Sequence, residues 1–442
     1  MKFSKFVHFF ELSNALALYH ALDIKVIYFP SMRIADKQAL LDRTDHQTVE
    51  YLSKQGFIVN DNEDETARLA TISQKEIEKV DIQLMYLLLT EKCNLACRYC
   101  FFEEGMPASS QAKMSVETAR NALDCFSNWV SSKGTPNIQL YGGDPLINMD
   151  ALVFSIDYVQ YLIASGKLPK NSYISIICNG TLVNEKFIAF MGNHKDIVNI
   201  SVSIDGPGRL HDEWRVDHQG RGSYDKTTRG YQLLQDAGLK PAISYTLSPS
   251  HIPHLDKITS WIIAQKPNGI SFNTMTDIPG MVMNQTYAEQ AAKFMIKAFI
   301  RFREEGLYED RMMRKIKSFV AQKRFLKDCC GYGQQIVVAP DGRIGTCHGF
   351  TASRKYFVSN VNRLDSFDPY QHPIFQEWAK RSPINMPECH DCLGLGICGG
   401  GCALNAYHRN GSIWAIDDIF CPQTKEILAW MIADTHNQMF SP

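Results

Sequence analysis

The 442-residue chain holds 13 cysteines, and their placement constrains it more than any other feature. Three fall together at Cys93, Cys97 and Cys100, eight lie from Cys329 onward, and Cys125 and Cys178 stand alone. None occurs from Asn179 to Asp328, so there are two sulfur centres to explain, one early and one late. What they can mean depends on the compartment. No apolar run approaches the ~18 residues of a membrane span, and the start, Met1-Lys2-Phe3-Ser4-Lys5, opens no apolar stretch followed by a small-residue cleavage site. The chain is therefore expected in the cytoplasm, where a disulfide framework is a poor reading and an odd cysteine count makes it poorer. Clustered thiols then point to metal or redox chemistry. The net charge of −1 gives no electrostatic argument for a nucleic-acid or acidic-lipid partner.

The order of patterns suggests four regions. Residues 1–80 begin with aromatic and aliphatic runs, Lys5 to Leu12 and Ala15 to Phe29, broken at Ser13-Asn14 and at Asp23, which read as short strands. A helical pattern starts at Ile34 and runs through Leu41, Val49 and Leu52 to the stop at Gly56. Strands followed by short helices resemble a small winged-helix module. From residue 81 to 285 the rhythm is strand, loop, helix, with strands expected at Leu84–Thr90, Ile138–Tyr141, Tyr173–Cys178, Ile200–Ile204, Ile243–Leu247 and Ile270–Asn273. Six such strands argue an α/β fold, a partial (β/α)6 barrel of the TIM type, whose chemistry would sit at the carboxyl ends of the strands. Residues 286–328 read as a helical connector. Residues 329–442 crowd Gly, Pro and Cys together, which suits a loop-rich domain folded around metal.

Cys93-x-x-x-Cys97-x-x-Cys100 follows the first barrel strand directly, with Tyr99, Phe101 and Phe102 around the third cysteine. Three thiolates on one short loop can hold three irons of a [4Fe-4S] cluster and leave the fourth open, whereas structural zinc takes four ligands. This spacing at a first strand end resembles the radical S-adenosylmethionine (SAM) superfamily. Gly142-Gly143-Asp144-Pro145 looks like that family's Gly-Gly-Glu-Pro motif, with Asp in place of Glu. Asn179-Gly180-Thr181 closes the third strand, and Ser203-Ile204-Asp205-Gly206-Pro207 the fourth, with His211, Asp212 and Arg215 downstream. Taken singly, Gly-Gly-Asp-Pro and Asn-Gly are common turns, Asp205 could cap a loop, and Arg215 could pair with Asp212 on the surface.

The resemblance implies a reduced cluster that passes one electron to bound SAM, giving a 5′-deoxyadenosyl radical that abstracts hydrogen from substrate. It implies Cys93, Cys97 and Cys100 as cluster ligands, Asp144 at the SAM ammonium beside Gly142 and Gly143, and Arg215 as a candidate for its carboxylate. Asn179, Ser203 and Asp205 would make polar contacts near the ribose or carboxylate, and Tyr99 would lie against the adenine. A flavodoxin- or ferredoxin-type donor would supply the electron.

The late array, Cys330, Cys347, Cys389-x-x-Cys392, Cys398, Cys402 and Cys421, matches the SPASM extension, the auxiliary-cluster domain of many radical SAM enzymes that act on peptides. By that resemblance one auxiliary cluster uses Cys330, Cys347 and Cys402, and the other Cys389, Cys392, Cys398 and Cys421, for three [4Fe-4S] clusters in all. The first auxiliary set is one ligand short. Either Cys329 completes it or one iron stays open. A zinc ribbon of Cys389, Cys392, Cys398 and Cys402 is the structural alternative. Cys125 and Cys178 read as small core hydrophobes.

Three functions remain. The first is a maturase that cross-links a ribosomally made precursor peptide, through a thioether or a carbon–carbon bond. The second is an anaerobic sulfatase maturase forming formylglycine, and the third a non-enzymatic metal scaffold. The N-terminal region favours the first, since it is similar to the leader-recognition element of peptide maturases, which takes the leader as an added strand. Sulfatase maturases begin almost at their cysteine triad and place Asp after the cysteine matching Cys347. This chain has His348 there.

Overall fold

The apolar runs and turns at the start of the chain form β1 (Lys2–Phe3), β2 (Val7–Glu11), β3 (Ala15–His20) and β4 (Lys25–Pro30), followed by α1 (His46–Lys54), β5 (Ile58–Val59) and α2 (Thr66–Ile72). β2, β3 and β4 make an antiparallel meander, with Val7 opposite His20 and Ala15 opposite Pro30, while β1 pairs with β5. Residues of β3 alternate between two cores. Leu16 and Leu18 pack with Leu52, Phe57 and Ile58, and Ala17 and Tyr19 join the main core of the molecule. The computed structural model describes residues 1–33, 41, 46–100, 112–131, 134–278, 280–363 and 366–440. The helical expectation over Ile34 to Leu40, and Phe101 and Phe102, lie outside them.

The next stretch runs β6 (Leu84–Thr90), α3 (Val116–Trp129), β7 (Asn137–Gly142), α4 (Met149–Ala164), β8 (Tyr173–Cys178), α5 (Glu185–Gly192), β9 (Val198–Ser203), α6 (Arg209–Trp214), α7 (Tyr224–Asp236), β10 (Ala242–Leu247), α8 (Leu255–Gln265) and β11 (Ile270–Thr274). The six strands are parallel and lie side by side in sequence order. Local signals explain the helix ends. Ser115 caps α3 by accepting the Thr118 N–H at 3.0 Å, and Gly238, at φ +74°, ends the turn after α7. Cys125 and Cys178 are buried in this core.

α9 (Gln285–Glu304) and α10 (Asp310–Val320) follow, then β12 (Gln335–Val338), β13 (Arg343–Gly345), β14 (Phe357–Asn360), α11 (Pro373–Ala379), α12 (Ala403–Asn410) and α13 (Phe420–Phe440). β12 pairs in parallel with β6, Gln335 opposite Leu84, and β13 and β14 extend the sheet beyond it. The result is a mixed α/β fold on a nine-stranded, mostly parallel sheet that runs across the expected boundary at residue 329. The N-terminal meander is seated on the late region. Gly396 donates its N–H to the Ala21 carbonyl at 2.9 Å, Arg324 reaches Asp23 and Glu76 at 2.8 Å each, and the Tyr28 hydroxyl donates to the Ile432 carbonyl at 2.8 Å. Among the described residues no helix is long and apolar enough to cross a membrane.

Candidate active site

The early cysteines occupy the loop at the carboxyl end of β6. Main-chain bonds fix its course: the Ala96 and Arg98 N–H groups donate to the carbonyls of Val216 and Trp214 at 2.8 and 2.9 Å, and Cys100 N–H to the Cys97 carbonyl at 2.9 Å. The neighbouring strand end lies directly against the loop. Gly143 and Asp144 donate their N–H groups to the carbonyls of Thr90 and Lys92 at 2.9 and 3.0 Å. A Cβ on Gly142 would collide with the Thr90 carbonyl, and one on Gly143 with that of Lys92, so both positions require glycine; Gly142 also sits at φ +133°. Gly-Gly here is a close approach of two strand ends rather than a plain turn.

Asp144 is buried, and its carboxylate accepts the N–H groups of Leu146 at 3.0 Å and Asn179 at 2.8 Å. Burial pushes its carboxyl up to about 6. Asn179 turns its amide toward the cysteine loop, donating to Asn94 Oδ1 at 2.9 Å and to the Cys93 sulfur at 3.8 Å. Ser203 is half-buried at the end of β9, opposite Ser244. Beyond it, Asp205 accepts hydrogen bonds from the Tyr99 hydroxyl, from Arg215 Nε at 2.7 Å and from the Thr246 N–H at 2.8 Å. Burial opposes charge on Asp205, but Arg215 and His211 outweigh it and hold the carboxyl below its ordinary value. The Arg215 guanidinium also stands 5.4 Å from the Tyr99 ring centre. Arg215 therefore pairs with Asp205 and not with Asp212, which instead accepts the Tyr224 N–H at the start of α7.

Burial raises the Cys93 thiol most, Asp144 adds to it, and Cys97 and Cys100 contribute further because the three sulfurs face one another. An iron centre that binds the thiolates removes that repulsion, so the donor set fits a cluster.

The late cysteines form two groups. Cys389, Cys392, Cys398 and Cys421 line one cavity; burial and then Cys398, Cys392 and Cys421 raise the Cys389 thiol, and burial, against Lys425, raises Cys421 with Cys398 and Cys392 adding to it. In the other group, burial and then Cys329 and Cys402 push Cys347 well up, while burial, Asp417 and then Cys329 push Cys402 up to about 12. The resemblance places Cys330 in this group. The structure places Cys329 there: it packs beside Cys347, whereas Cys330 is exposed, with Arg314, Asp328 and Asp310 as its charged neighbours. A recurring contact separates the vicinal pair. The N–H two residues on donates to the sulfur of Cys93 (Leu95, 3.4 Å), Cys329 (Gly331, 3.3 Å), Cys347 (Gly349, 3.4 Å) and Cys392 (Gly394, 3.4 Å). Such bonds favour the thiolate. The foursome that lines the cavity ends in Cys421, not Cys402, which departs from the zinc-ribbon set. Among the described residues no group of three or more His, Cys, Asp or Glu side chains is set to hold a single metal ion.

Sequence reasoning overlooked the aromatic residues between the two centres. His348 stacks on Tyr86 with ring centres 4.4 Å apart and meets Tyr141 edge-on at 5.6 Å. Tyr141 feels the charges of Cys100 and Cys93, and Tyr86 those of Cys329, Cys330 and Cys347. Burial lowers His348 to about 4, so its ring is neutral. The available signal was a tyrosine inside each of the first two barrel strands, Leu84–Thr90 and Asn137–Gly142.

Residues 87–252 match the family model of the radical SAM superfamily. Residues 87–252 therefore carry a radical SAM domain, a family that implies SAM and a [4Fe-4S] cluster as cofactors. It is 23% identical over 409 residues to the radical SAM cyclopropyl synthase TigE of Paramaledivibacter caminithermalis, covering 87% of this chain and 82% of that protein. It is 22% identical over 350 residues to a cysteine-type anaerobic sulfatase-maturating enzyme of Clostridium novyi, covering 76% and 91%. Among solved structures, anSMEcpe with AdoMet and a peptide bound aligns at a TM-score of 0.66 and 19% identity, over 80% of this chain and 99% of that one. Streptococcus suis SuiB, bound to the precursor peptide SuiA, aligns at 0.57 and 14% identity, over 95% and 99%.

Proposed function

We propose that the enzyme is a maturase of a ribosomally made peptide and installs a cross-link, a thioether before a carbon–carbon bond. The observation that carries this reading is the sorting of ten cysteines into three sets, with the N-terminal meander seated on the loop of the third. The first cluster would be held by Cys93, Cys97 and Cys100, the second by Cys329, Cys347 and Cys402 with one iron free of a protein ligand, and the third by Cys389, Cys392, Cys398 and Cys421. SAM bound at the first cluster supplies the hydrogen-abstracting radical when reduced by a flavodoxin- or ferredoxin-type donor.

This chain's own residues position and enclose. Gly142 and Gly143 let the end of β7 close onto the cysteine loop, and Asp144 and Asn179 hold that edge. The Tyr99, Asp205 and Arg215 network locks the loop against β9 and α6. Tyr86, Tyr141 and His348 keep water from the space between the first and second sets, where the peptide's reacting residues would lie. The edges of the meander, β2 and β4, offer main-chain groups to a leader strand, the role expected of a winged-helix-like leader-binding domain. The SuiB alignment supports this, because it spans 95% of the chain where anSMEcpe spans 80%. The sulfatase-maturase reading draws on the anSMEcpe match over that protein's full length. It lacks a use for the N-terminal region and for His348.

The test is co-production with short open reading frames encoded nearby, followed by mass spectrometry. Loss of two hydrogens per cross-link in a peptide supports the proposal. Formylglycine in a sulfatase peptide, with no change in any candidate precursor, overturns it.

A further inference from the structure

Arg311, Arg314 and Lys315 stand at i, i+3 and i+4 of α10 and share one helix face. A single buried carboxylate, Asp328, serves all three, at 4.0 Å from Arg311, 4.0 Å from Arg314 and 3.9 Å from Lys315. Asp310 takes Arg314 at 3.2 Å from a more exposed position. Lys315 is the most deeply placed, 6% exposed, and its ammonium donates to the carbonyls of Cys398 at 3.1 Å and Ile397 at 3.4 Å. Burying an ammonium with its nearest carboxylate beyond hydrogen-bond range is costly. Negative charge from the third cysteine set would offset that cost. A [4Fe-4S] centre on four thiolates carries net negative charge that grows on reduction, and a fixed cation beside it favours the reduced form.

We propose that Lys315 sets the reduction potential of the cluster held by Cys389, Cys392, Cys398 and Cys421, holding it above the value that the four thiolates alone would give. This rests on the ligand sets proposed above. Lys315 acts through its field, touching the main chain of one ligand rather than the substrate. Asp328 works in the opposite sense, and its N–H donates to the Gly399 carbonyl at 2.9 Å, which keeps it beside the same loop.

The experiment is a potentiometric titration of the reconstituted full chain, followed by electron paramagnetic resonance. Lys315→Met is expected to lower one cluster's midpoint by a tenfold change in its oxidised-to-reduced ratio, about 59 mV for a one-electron couple. Lys315→Arg should keep the midpoint, and Asp328→Asn should raise it. A Lys315→Met enzyme with all clusters loaded and no midpoint moved overturns the proposal, as does an equal shift of every cluster. Should Lys315→Met fail to load its cluster, Asp328→Asn decides: an upward shift supports the proposal and an unmoved midpoint overturns it. A wild-type chain with iron for the first cluster alone removes the ligand sets themselves, a different failure from loaded clusters that ignore Lys315.

Discussion

Replacing Arg215 by Met removes one partner of the pair that ties the chain after α6 to the chain after β9, beside Tyr99 of the cysteine loop. The ions are 2.7 Å apart, with side chains 10% exposed for Arg215 and fully buried for Asp205. Removing one member of such a pair leaves an uncompensated charge and costs about 3–5 kcal/mol. Asp205 retains its bonds from the Tyr99 hydroxyl and the Thr246 N–H, which places the expected loss near the lower end, about 3 kcal/mol. The assay is anaerobic urea unfolding followed by far-ultraviolet circular dichroism. The double variant Arg215→Met with Asp205→Asn carries no buried charge and should recover more than half of the loss.

The pH dependence carries a sign. In the wild type Asp205 lies below its ordinary value, so its stabilisation is present above the unfolded pKa of about 3.9 and lost only as pH falls through the folded one. In Arg215→Met burial acts without its largest counterweight and raises the carboxyl, so the variant's deficit is largest at neutral pH and shrinks as acid neutralises the group. A deficit below about 1 kcal/mol, the scale of an exposed pair, or one that grows toward acid, refutes the reasoning.

Cys329→Ser should cost the protein one cluster, about four irons per chain from about twelve, while Cys330→Ser keeps all three, as measured by iron content and electron paramagnetic resonance. Gly143→Ala forces a Cβ into the Lys92 carbonyl and should lower the yield of 5′-deoxyadenosine from SAM at least tenfold without changing the late clusters' signals. His20 is lowered to about 4, by burial first and by Arg68 against the pull of Asp23. Its folded value lies below the unfolded ~6.5, so the stability it allows is complete above that value and falls by at most about 3 kcal/mol as pH drops toward 4. His20→Gln should flatten that slope in a pH series of urea unfolding.

The six parallel strands were legible because each carries buried apolar residues at successive or alternate positions between turn residues, and the cysteine triad because its spacing and its place after β6 stand together in the sequence. β12 escaped notice although Gln335-Ile336-Val337-Val338 is a strand-like run, since its partner β6 lies some 250 residues away and its neighbours are loop-forming. Local pattern carries no record of such a pairing. Asp205 and Arg215 both stand out in the sequence, but their union depends on how α6 turns the chain back, which spacing does not reveal. The proposed use of Cys329 rather than Cys330 has a sequence signal: a glycine stands two residues after Cys329, as it does after Cys347 and Cys392, and tyrosine stands two after Cys330.

The bond from Gly396 to Ala21 gives the N-terminal meander a stake in metal supply. Gly396 lies between Cys392 and Cys398, so the loop that offers its N–H is the one those two thiolates draw closed. A Cβ at Gly396 would run into the Ala21 and Leu22 carbonyls, which leaves no slack at this seat. Ligand binding that needs the folded state stabilises it, and the seat inherits that stabilisation. On the proposed ligand sets and the proposed leader-binding role, a chain starved of iron holds this one seat less firmly, and the Arg324 and Tyr28 contacts carry the meander until the cluster is installed.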